Sequence, residues 1–302
     1  MRWIPLLALC VILTGCAEPT TQVLEISQAK SISLPTVNAD TGSSRTRVVA
    51  LANGSAEIIA ALGLKKILIG RDIASTEKSL QNIPIVTAGH QVVVEKILSL
   101  QPDLLLIDNT TGPKQAIDQL RKLNIPITSI DEAWSIKEIE SKISAVARAI
   151  GAQENGAKLN ELLKAEIDLK RKLTEAPKVL FLYLRGSNAI YLVGGKGSGA
   201  DSMINAAGGL DIGAEELSRP FTPLTSEALI ALNPDIFLVM TKGLASVGGM
   251  QGLLKLPGVA QTKAGKRGAV IAVDDSLLLS FGPRTPDLVR QLHKNFFTVM
   301  RR

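Results

Sequence analysis

The sequence predicts an α/β protein made of two Rossmann-like lobes joined by a long, rigid α-helix. Three observations predict this fold. Short apolar segments alternate with amphipathic ones, as in parallel sheets whose strands are connected by helices. A helix that opens with Glu, followed by Pro-Asp and an apolar strand, occurs at 95–108 and again at 227–240. A long helical pattern separates the two copies, so the chain divides into two similar lobes.

The first sixteen residues are typical of a lipoprotein signal peptide. A positive residue, Arg2, precedes an apolar stretch that is too short to span a bilayer. Leu13-Thr-Gly-Cys16 then matches a lipobox, which predicts that residues 1–16 are a signal and that the mature chain starts at a lipidated Cys16 on the extracytoplasmic face of the cell membrane. An ordinary secretory signal that contains a cysteine is the alternative. Residues 17–45, rich in Thr and Ser, are expected to form a flexible tether.

Composition excludes several classes of function. Cys10 and Cys16 are the only cysteines, so the processed domain is expected to lack a disulfide, a thiolate metal site and a cysteine nucleophile. The formal charge of +6 comes without a basic run interleaved with aromatics, so nucleic-acid binding is not expected. The chain has no His-Glu-x-x-His motif and no convincing nucleophile elbow. An exported α/β enzyme that uses His90 as a base is therefore a remote alternative.

Each lobe can be divided into elements in order along the chain. The first lobe, 46–152, is predicted to contain four strands, at 47–51, 66–70, 104–107 and 125–130. Apolar residues then recur at helical spacing, and Gly151 separates a shorter helix from the connecting helix at 153–175, which would be about 30 Å long. The second lobe, 176–302, is predicted to contain four further strands and a closing helix, at 178–183, 189–193, 236–240, 269–273 and from Pro286.

Tyr183 and Arg185 form the sharpest chemical signal. Tyr183 ends a strongly apolar strand, where the strand should reach a cleft. Residues i and i+2 on a strand share a face, so the Arg185 guanidinium can reach the Tyr183 oxygen. A cation beside a phenol favours phenolate, which suits ferric iron and is a known axial ligand of haem. A buried tyrosine beside an arginine in a salt bridge is the alternative.

Four other features are candidates. His90 lies in a loop that would face the cleft, whereas the second histidine, His293, is expected at the surface of the last helix. The glycine-rich turn at 194–199 can cradle an anion or serve only as a tight turn. Glu95 and Glu227 occupy matching positions in the two copies of the repeat. They can stabilise their helix dipoles, or they can form a docking surface through which a partner contacts both lobes at once.

These features together resemble the class III substrate-binding proteins of ABC importers, which bind siderophores, cobalamin, haem or metals. The second lobe is most similar to the haem-uptake lipoproteins of actinobacteria, of the HmuT type. The motifs that carry this resemblance are Tyr183-Leu-Arg185-Gly, Gly195-Lys-Gly-Ser-Gly-Ala-Asp201, Pro223-Leu-Thr-Ser-Glu227, Leu238-Val-Met240-Thr-Lys-Gly-Leu and Leu279-Ser-Phe-Gly-Pro-Arg284-Thr-Pro286.

The resemblance implies a protein that carries haem between its lobes and performs no chemistry on it. It implies that His90 and Tyr183 bind opposite faces of the iron, with Arg185 supporting the tyrosine and Met240 lining the pocket. Arg284 belongs to the same pocket by its motif. Glu95 and Glu227 would meet arginines of an ABC permease dimer coupled to its ATPase, and haem-binding surface proteins are expected as donors.

One departure from the family pattern matters. Other bacterial haem binders place a Tyr in the loop after the second strand of the first lobe, where this chain reads Arg71-Asp-Ile-Ala-Ser-Thr-Glu77. The chain must therefore use His90 or leave one face of the haem open. From charge alone, Arg71 and Lys196 are expected to contact the propionates. A ferric siderophore or cobalamin remains the alternative ligand.

Overall fold

The computed structural model describes residues 23–36, 45–167, 175–186 and 191–301 of the 302-residue chain. Two sheets dominate this part of the chain, each flanked by helices. Within the described residues no helix combines the length and the apolar character needed to span a membrane. The signal peptide and Cys16 lie outside the described residues.

The described chain begins with a strand that belongs to the second lobe. This strand, β1, spans Leu24–Ile26 and pairs in parallel with residues 271–273. The Ile26 side chain is buried, and the Lys30 N–H donates to the Asp287 carboxylate at 2.6 Å. The prediction of a tether over the whole of 17–45 is therefore wrong for 23–36. Alternating apolar residues at 24, 26, 32 and 34 give this segment a face that packs on the core.

The first lobe is built on a parallel four-stranded sheet with a small hairpin beside it. The sheet order is β3-β2-β6-β7, and β4 and β5 form the hairpin. The elements are β2 (Val48–Ala50), α1 (Ser55–Ala61), β3 (Leu68–Arg71), β4 (Thr87–Ala88), β5 (Gln91–Val92), α2 (Val94–Ser99), β6 (Leu104–Ile107), α3 (Lys114–Lys122), β7 (Ile127–Ser129) and α4 (Ile139–Ala149). Strands β2 and β6 are wholly buried, as the central position of a parallel sheet requires.

The connecting helix, α5, spans Gln153–Ile167 in the described part of the chain, a length of about 22 Å. Residues 168–174, which the prediction included, lie outside the described residues. The helix packs closely on α4 because position 156 is a glycine, where a Cβ would lie 2.6 Å from the Ala147 Cβ. Any larger side chain at 156 would push the two helices apart.

The second lobe is built on a mixed sheet of seven strands. The order is β1-β13-β12-β8-β9-β11, and β10 also pairs with β8. Strands β9 and β11 are antiparallel to their neighbours, and the other pairings are parallel. The elements are β8 (Lys178–Leu184), β9 (Tyr191–Gly194), α6 (Ala200–Ala206), β10 (Leu210–Asp211), α7 (Ile212–Glu216), β11 (Phe221–Pro223), α8 (Ser226–Leu232), β12 (Ile236–Met240), α9 (Thr241–Ser246), α10 (Gly249–Lys255), α11 (Lys263–Arg267), β13 (Val270–Val273), α12 (Asp275–Leu278) and α13 (Thr285–Arg301).

The two copies of the repeated phrase adopt the same structure. Helices α2 and α8 are each followed within two residues by a non-glycine residue with positive φ, 50° at Gln101 and 45° at Asn233. The Asp of each Pro-Asp then accepts a backbone N–H at the start of its lobe's first strand: Asp103 from Thr46 at 2.8 Å, and Asp235 from Lys178 at 3.0 Å. The prediction of two similar lobes is confirmed, and the Pro-Asp dipeptide is a structural joint in both.

Asp211 should make stability depend on pH. Its Oδ1 accepts the N–H groups of Gly213 and Ala214 at the start of α7, and burial raises its pKa from 3.8 to about 7. The folded protein therefore holds a proton that the unfolded chain has released between about pH 4 and 7. This stabilisation is complete below pH 4 and is lost as the pH rises through about 7.

Asp211→Asn keeps the capping acceptor and removes the titration. We expect the free energy of unfolding of the wild type, relative to this variant, to fall by on the order of 1–3 kcal/mol between pH 4 and 8. Urea denaturation at several pH values measures the difference, with Asp118→Asn, on the exposed face of α3, as the control. A difference that stays constant across this range would contradict the prediction.

Candidate ligand-binding cleft

The carboxyl edges of the two sheets face each other. Thr76 lies in the loop after β3, and Ser276 lies in α12, directly after β13. Their hydroxyl oxygens are 2.5 Å apart, which joins the loops at the carboxyl ends of the two sheets. In open α/β sheets this edge is where ligands bind. The candidate site is therefore the region between these two edges.

A buried ion pair holds the lobes together beside this cleft. Arg284 Nε donates to Glu57 Oε2 at 2.9 Å and its Nη2 donates to Oε1, so the pairing is bidentate. Both side chains are at most 5% exposed. Burial raises the pKa of Glu57 to about 7, although Arg284 opposes this shift. Arg284 was expected in the haem pocket by its motif, but the structure commits its guanidinium to the contact between the lobes.

Lys142 adds a second connection at this joint. Its ammonium donates to the carbonyl of Ser280 at 2.7 Å, which links α4 of the first lobe to the loop before α13. Burial lowers the pKa of Lys142 to about 8, against the opposing effect of Glu57. Three charged side chains therefore fix the relative position of the lobes.

Tyr183 and Arg185 make the contact that their spacing predicts. Arg185 Nε donates to the Tyr183 oxygen at 2.9 Å, and its Nη2 donates to the same atom. A guanidinium can only donate, so the phenol oxygen is the acceptor in both bonds. The guanidinium carbon also lies 5.0 Å from the centre of the tyrosine ring. The oxygen thus sits beside a cation, which is the surrounding that the sequence predicted for an iron ligand.

Two apolar residues complete the surroundings of Tyr183. Strands β12 and β8 pair in parallel up to Val239 and Leu182, so Met240 and Tyr183 come next on the same face of adjacent strands. Phe221 of β11 lies with its ring centre 5.3 Å from that of Tyr183. Phe221 was not predicted from the sequence, although aromatic residues are scarce in the chain and each was therefore a candidate. These side chains offer a partly apolar wall beside the phenol.

His90 occupies the tip of the β4–β5 hairpin. Gly89 has the positive φ, 57°, that a two-residue hairpin turn requires. The hairpin lies beside the loop after β6, because the Val92 N–H donates to the Gly112 carbonyl at 2.8 Å. The imidazole is exposed, and no other described residue forms a hydrogen bond with it. It thus lies at the carboxyl edge of the first lobe and is available to a ligand.

Arg71 has a different role from the one expected. Its side chain is buried, and it donates to the carbonyls of Asp72, Ser75 and Leu80 at 2.9–3.2 Å. The guanidinium therefore organises the loop after β3. The expected contact with a propionate is not supported, because the side chain is buried and its Nε and Nη1 donors are engaged by these carbonyls.

Lys196 is not brought beside Tyr183. Strand β9 runs antiparallel to β8, with Leu192 opposite Tyr183 and Val193 opposite Leu182. The chain is thus moving away from Tyr183 as it approaches Lys196, whose side chain is exposed. The expected contact of Lys196 with a propionate stays a prediction.

The backbone N–H groups of the glycine-rich turn at 194–199 bind acceptors within the protein. The Asp201 carboxylate accepts the N–H groups of Gly197 and Gly199, at 2.9 and 3.1 Å. The N–H groups of Gly195 and Lys196 donate to backbone carbonyls. The interpretation of this turn as a cradle for an external anion is wrong, because the donors that would bind it are occupied.

Glu95 and Glu227 are both exposed in the first turns of their helices. Hydrogen bonds from its own backbone, Ser226 and Thr225 hold the pKa of Glu227 below its usual value. Within the described residues, no group of three or more His, Cys, Asp or Glu side chains is arranged to hold a metal ion. Any iron held here would therefore depend on isolated side chains such as His90 and Tyr183.

Comparisons with known proteins identify the family of this chain. A family model described as periplasmic binding protein matches residues 48–277. The periplasmic heme-binding protein RhuT from Roseiflexus sp. RS-1, solved in its apo form, is 38% identical to this chain, with a TM-score of 0.78. That alignment covers 84% of this chain and 99% of RhuT. The structure of the heme-binding protein HmuT is 33% identical, with a TM-score of 0.75, and covers 92% of this chain and 95% of HmuT.

Two curated relatives complete the comparison. The uncharacterised ABC transporter substrate-binding lipoprotein YvrC of Bacillus subtilis is 27% identical over 98% of this chain and 96% of its own length. The vitamin B12-binding protein of Vibrio parahaemolyticus is 23% identical over 67% of this chain and 73% of its own length. The predicted α/β fold and its class are thus confirmed.

Proposed function

The chain belongs to the periplasmic binding protein family, as a class III substrate-binding protein of ABC importers, and from this premise we propose that it captures haem in the cleft between its lobes. Proteins of this kind bind and hand over a substrate, and the chain is a transport protein and not an enzyme. Haem is its cargo and leaves the protein unchanged.

The pairing of Arg185 with Tyr183 is the observation that carries the proposal. Two bonds from the guanidinium orient the tyrosine oxygen, which we propose binds ferric iron, and tyrosine is an established haem ligand. Met240 and Phe221 add an apolar wall of the kind a porphyrin needs. Relatives that are 33–38% identical and bear the name heme-binding support the same ligand.

His90 is proposed as the second axial ligand. It projects from the first lobe, whereas Tyr183 belongs to the second, and each lies at the carboxyl edge of its sheet. A single haem inserted between the edges would then have one ligand on each face of the iron. The exposed imidazole needs no rearrangement of existing bonds to bind.

Location and partners complete the proposal. The family places the protein outside the cytoplasm, and the relative YvrC is a lipoprotein. We propose that lipidated Cys16 attaches the chain to the membrane and that Glu95 and Glu227 meet arginines of an ABC permease coupled to its ATPase. Surface proteins that bind haem would supply the cargo.

Cobalamin is the second candidate ligand, because several vitamin B12-binding proteins are distant relatives of the chain. Their identity is 23–26%, below the 38% of RhuT and the 33% of HmuT. A ferric siderophore has less support, since the tyrosine and histidine are single ligands that a siderophore iron, already enclosed by its chelator, would not need.

Titration of residues 17–302 with ferric haem tests the proposal. With the Soret band as the signal, we expect saturation at one equivalent of haem and no competition from cyanocobalamin. His90→Ala should shift the Soret band and weaken binding by about 10–100-fold, because one axial bond is lost.

His293→Ala is the matched control for this titration. His293 is the other histidine, and its Nδ1 lies 3.0 Å from the Ala207 carbonyl, on the packing surface between α13 and α6. An unchanged spectrum in both variants would remove His90 from the site. Absence of a Soret shift in the wild type, with tight binding of cyanocobalamin, would replace haem by a corrinoid.

A further inference from the structure

The repeated helices α2 and α8 expose an apolar residue as well as a glutamate. Leu98 is 38% exposed and Ile230 is 40% exposed, although both are large aliphatic side chains. The two positions are equivalent in the repeat, since each lies three residues after its glutamate, Glu95 or Glu227. Residues three apart are neighbours on a helix surface, so each lobe displays one carboxylate beside one apolar side chain.

The match between the lobes is not a general property of the repeat. Eight large apolar side chains are more than a third exposed within the described residues, and only Leu98 and Ile230 occupy equivalent positions in the two lobes. The neighbouring positions differ in character, with Lys96 opposite Ala228 and Ser99 opposite Ala231. The pairing of carboxylate and apolar group is therefore the part of the surface that the two lobes share.

Both patches are held in the same orientation relative to their own sheets. Ile97 and Leu229, the residues before the exposed apolar side chains, are completely buried and fix the rotation of each helix. The Pro-Asp joint then ties the end of each helix to the first strand of its lobe. The buried contacts of Arg284 and Lys142 hold the two lobes together. The chain thus presents two equivalent patches at a fixed separation.

We propose that Leu98 and Ile230 are the apolar contacts of a two-point docking surface, each inserting beside the glutamate of its lobe into one subunit of a two-subunit permease. Two equivalent patches on one chain fit a partner that repeats its own surface. The carboxylates require a cation on each subunit, and the aliphatic groups require an apolar recess next to it. This inference rests on the proposed function as a receptor of an ABC importer. It adds apolar contacts to the charged contacts proposed for the two glutamates.

The two kinds of contact should act on different rate constants. Exposed charges steer association, and their effect weakens with salt. Apolar groups that become buried mainly lower the dissociation rate, with little dependence on salt. Leu98 and Ile230 should therefore control how long the receptor stays on the permease, whereas Glu95 and Glu227 should control how fast it arrives.

The test measures binding of the full mature chain to the permease–ATPase complex of the same organism, reconstituted in nanodiscs, at low and high salt. Leu98→Ala and Ile230→Ala should each raise the dissociation rate by about tenfold, and the double variant by about 100-fold. Leu123→Ala, in the first lobe, and Leu162→Ala, in α5, are matched controls, because these leucines are 50% and 46% exposed outside the repeat. Both controls should bind as the wild type does.

Three outcomes would overturn the inference. In the first, Leu98→Ala and Ile230→Ala dissociate from the complex no faster than the two control variants. The second is a wild type that dimerises in size-exclusion chromatography and loses this dimer in the double variant, because the occupant would then be a second copy of the chain. The third is a wild type that binds haem but not the complex. Haem titration of every variant separates these outcomes from failure of the haem proposal, since a chain that docks without binding haem would contradict that proposal alone.

Discussion

Tyr183→Phe is expected to lower haem affinity by at least about 100-fold and to abolish the visible band of a tyrosinate–iron complex. The change removes only the oxygen that accepts both bonds from Arg185 and leaves the ring packed against Phe221. Loss of binding therefore reports the missing iron ligand and not a collapsed wall. Titration of the variant with ferric haem, followed in the Soret and visible regions, measures the effect.

The second tyrosine of the chain provides the control. Tyr191 is buried, and its hydroxyl donates to the Pro257 carbonyl at 2.8 Å, so Tyr191→Phe removes an equivalent atom that has a structural role. This variant should lose about 1 kcal/mol of stability and keep its haem affinity. If Tyr183→Phe bound haem as tightly as Tyr191→Phe does, the iron would not be coordinated by Tyr183.

Arg284→Met is expected to cost about 3–5 kcal/mol in the free energy of unfolding at pH 8. The substitution leaves the Glu57 carboxylate buried between the lobes without its bidentate partner. Arg284 opposes the burial that raises the pKa of Glu57 to about 7, so its removal should raise this pKa further, and protonation of Glu57 should recover part of the cost as the pH falls from 8 to 5. Urea denaturation at pH 8 and pH 5 measures both effects.

Two further variants make this result specific. Arg121→Met breaks an ion pair whose side chains are 56% and 44% exposed, and it should cost less than about 1 kcal/mol. The double variant Glu57→Leu with Arg284→Met should be more stable than Arg284→Met alone, because no unpaired charge remains in the interface. A double variant that is as unstable as the single one would show that packing, and not charge, explains the loss.

The features predicted correctly from the sequence depend on short-range geometry. Tyr183 and Arg185 are two residues apart on one strand, so their contact follows from strand periodicity alone. The two copies of the Glu…Pro-Asp phrase fold alike because each contains its own helix, turn and strand. Local pattern was enough for such elements, and the comparisons confirm the fold that they imply.

The misassigned residues depend on partners that strand and helix periodicity do not reveal. Arg284 pairs with Glu57, 227 residues away, and charge alone cannot distinguish this partner from a propionate. The sequence likewise shows Arg71 as a cation without a partner. In the structure the loop that follows it turns back, and its backbone carbonyls accept hydrogen bonds from the guanidinium. The glycine-rich turn appeared ready for an anion because the role of Asp201 as an internal acceptor depends on the turn's conformation.

The pairing of β1 with β13 limits the distance between the folded lobes and the membrane. With Cys16 acylated, as we propose, Leu24, the first paired residue, lies eight residues after the lipid anchor, so the linker reaches at most about 30 Å. A free segment up to residue 45 would instead reach about 100 Å. The shorter linker confines the receptor to a volume that is smaller by a factor on the order of tens. The effective concentration of the receptor at the importer rises by the same factor.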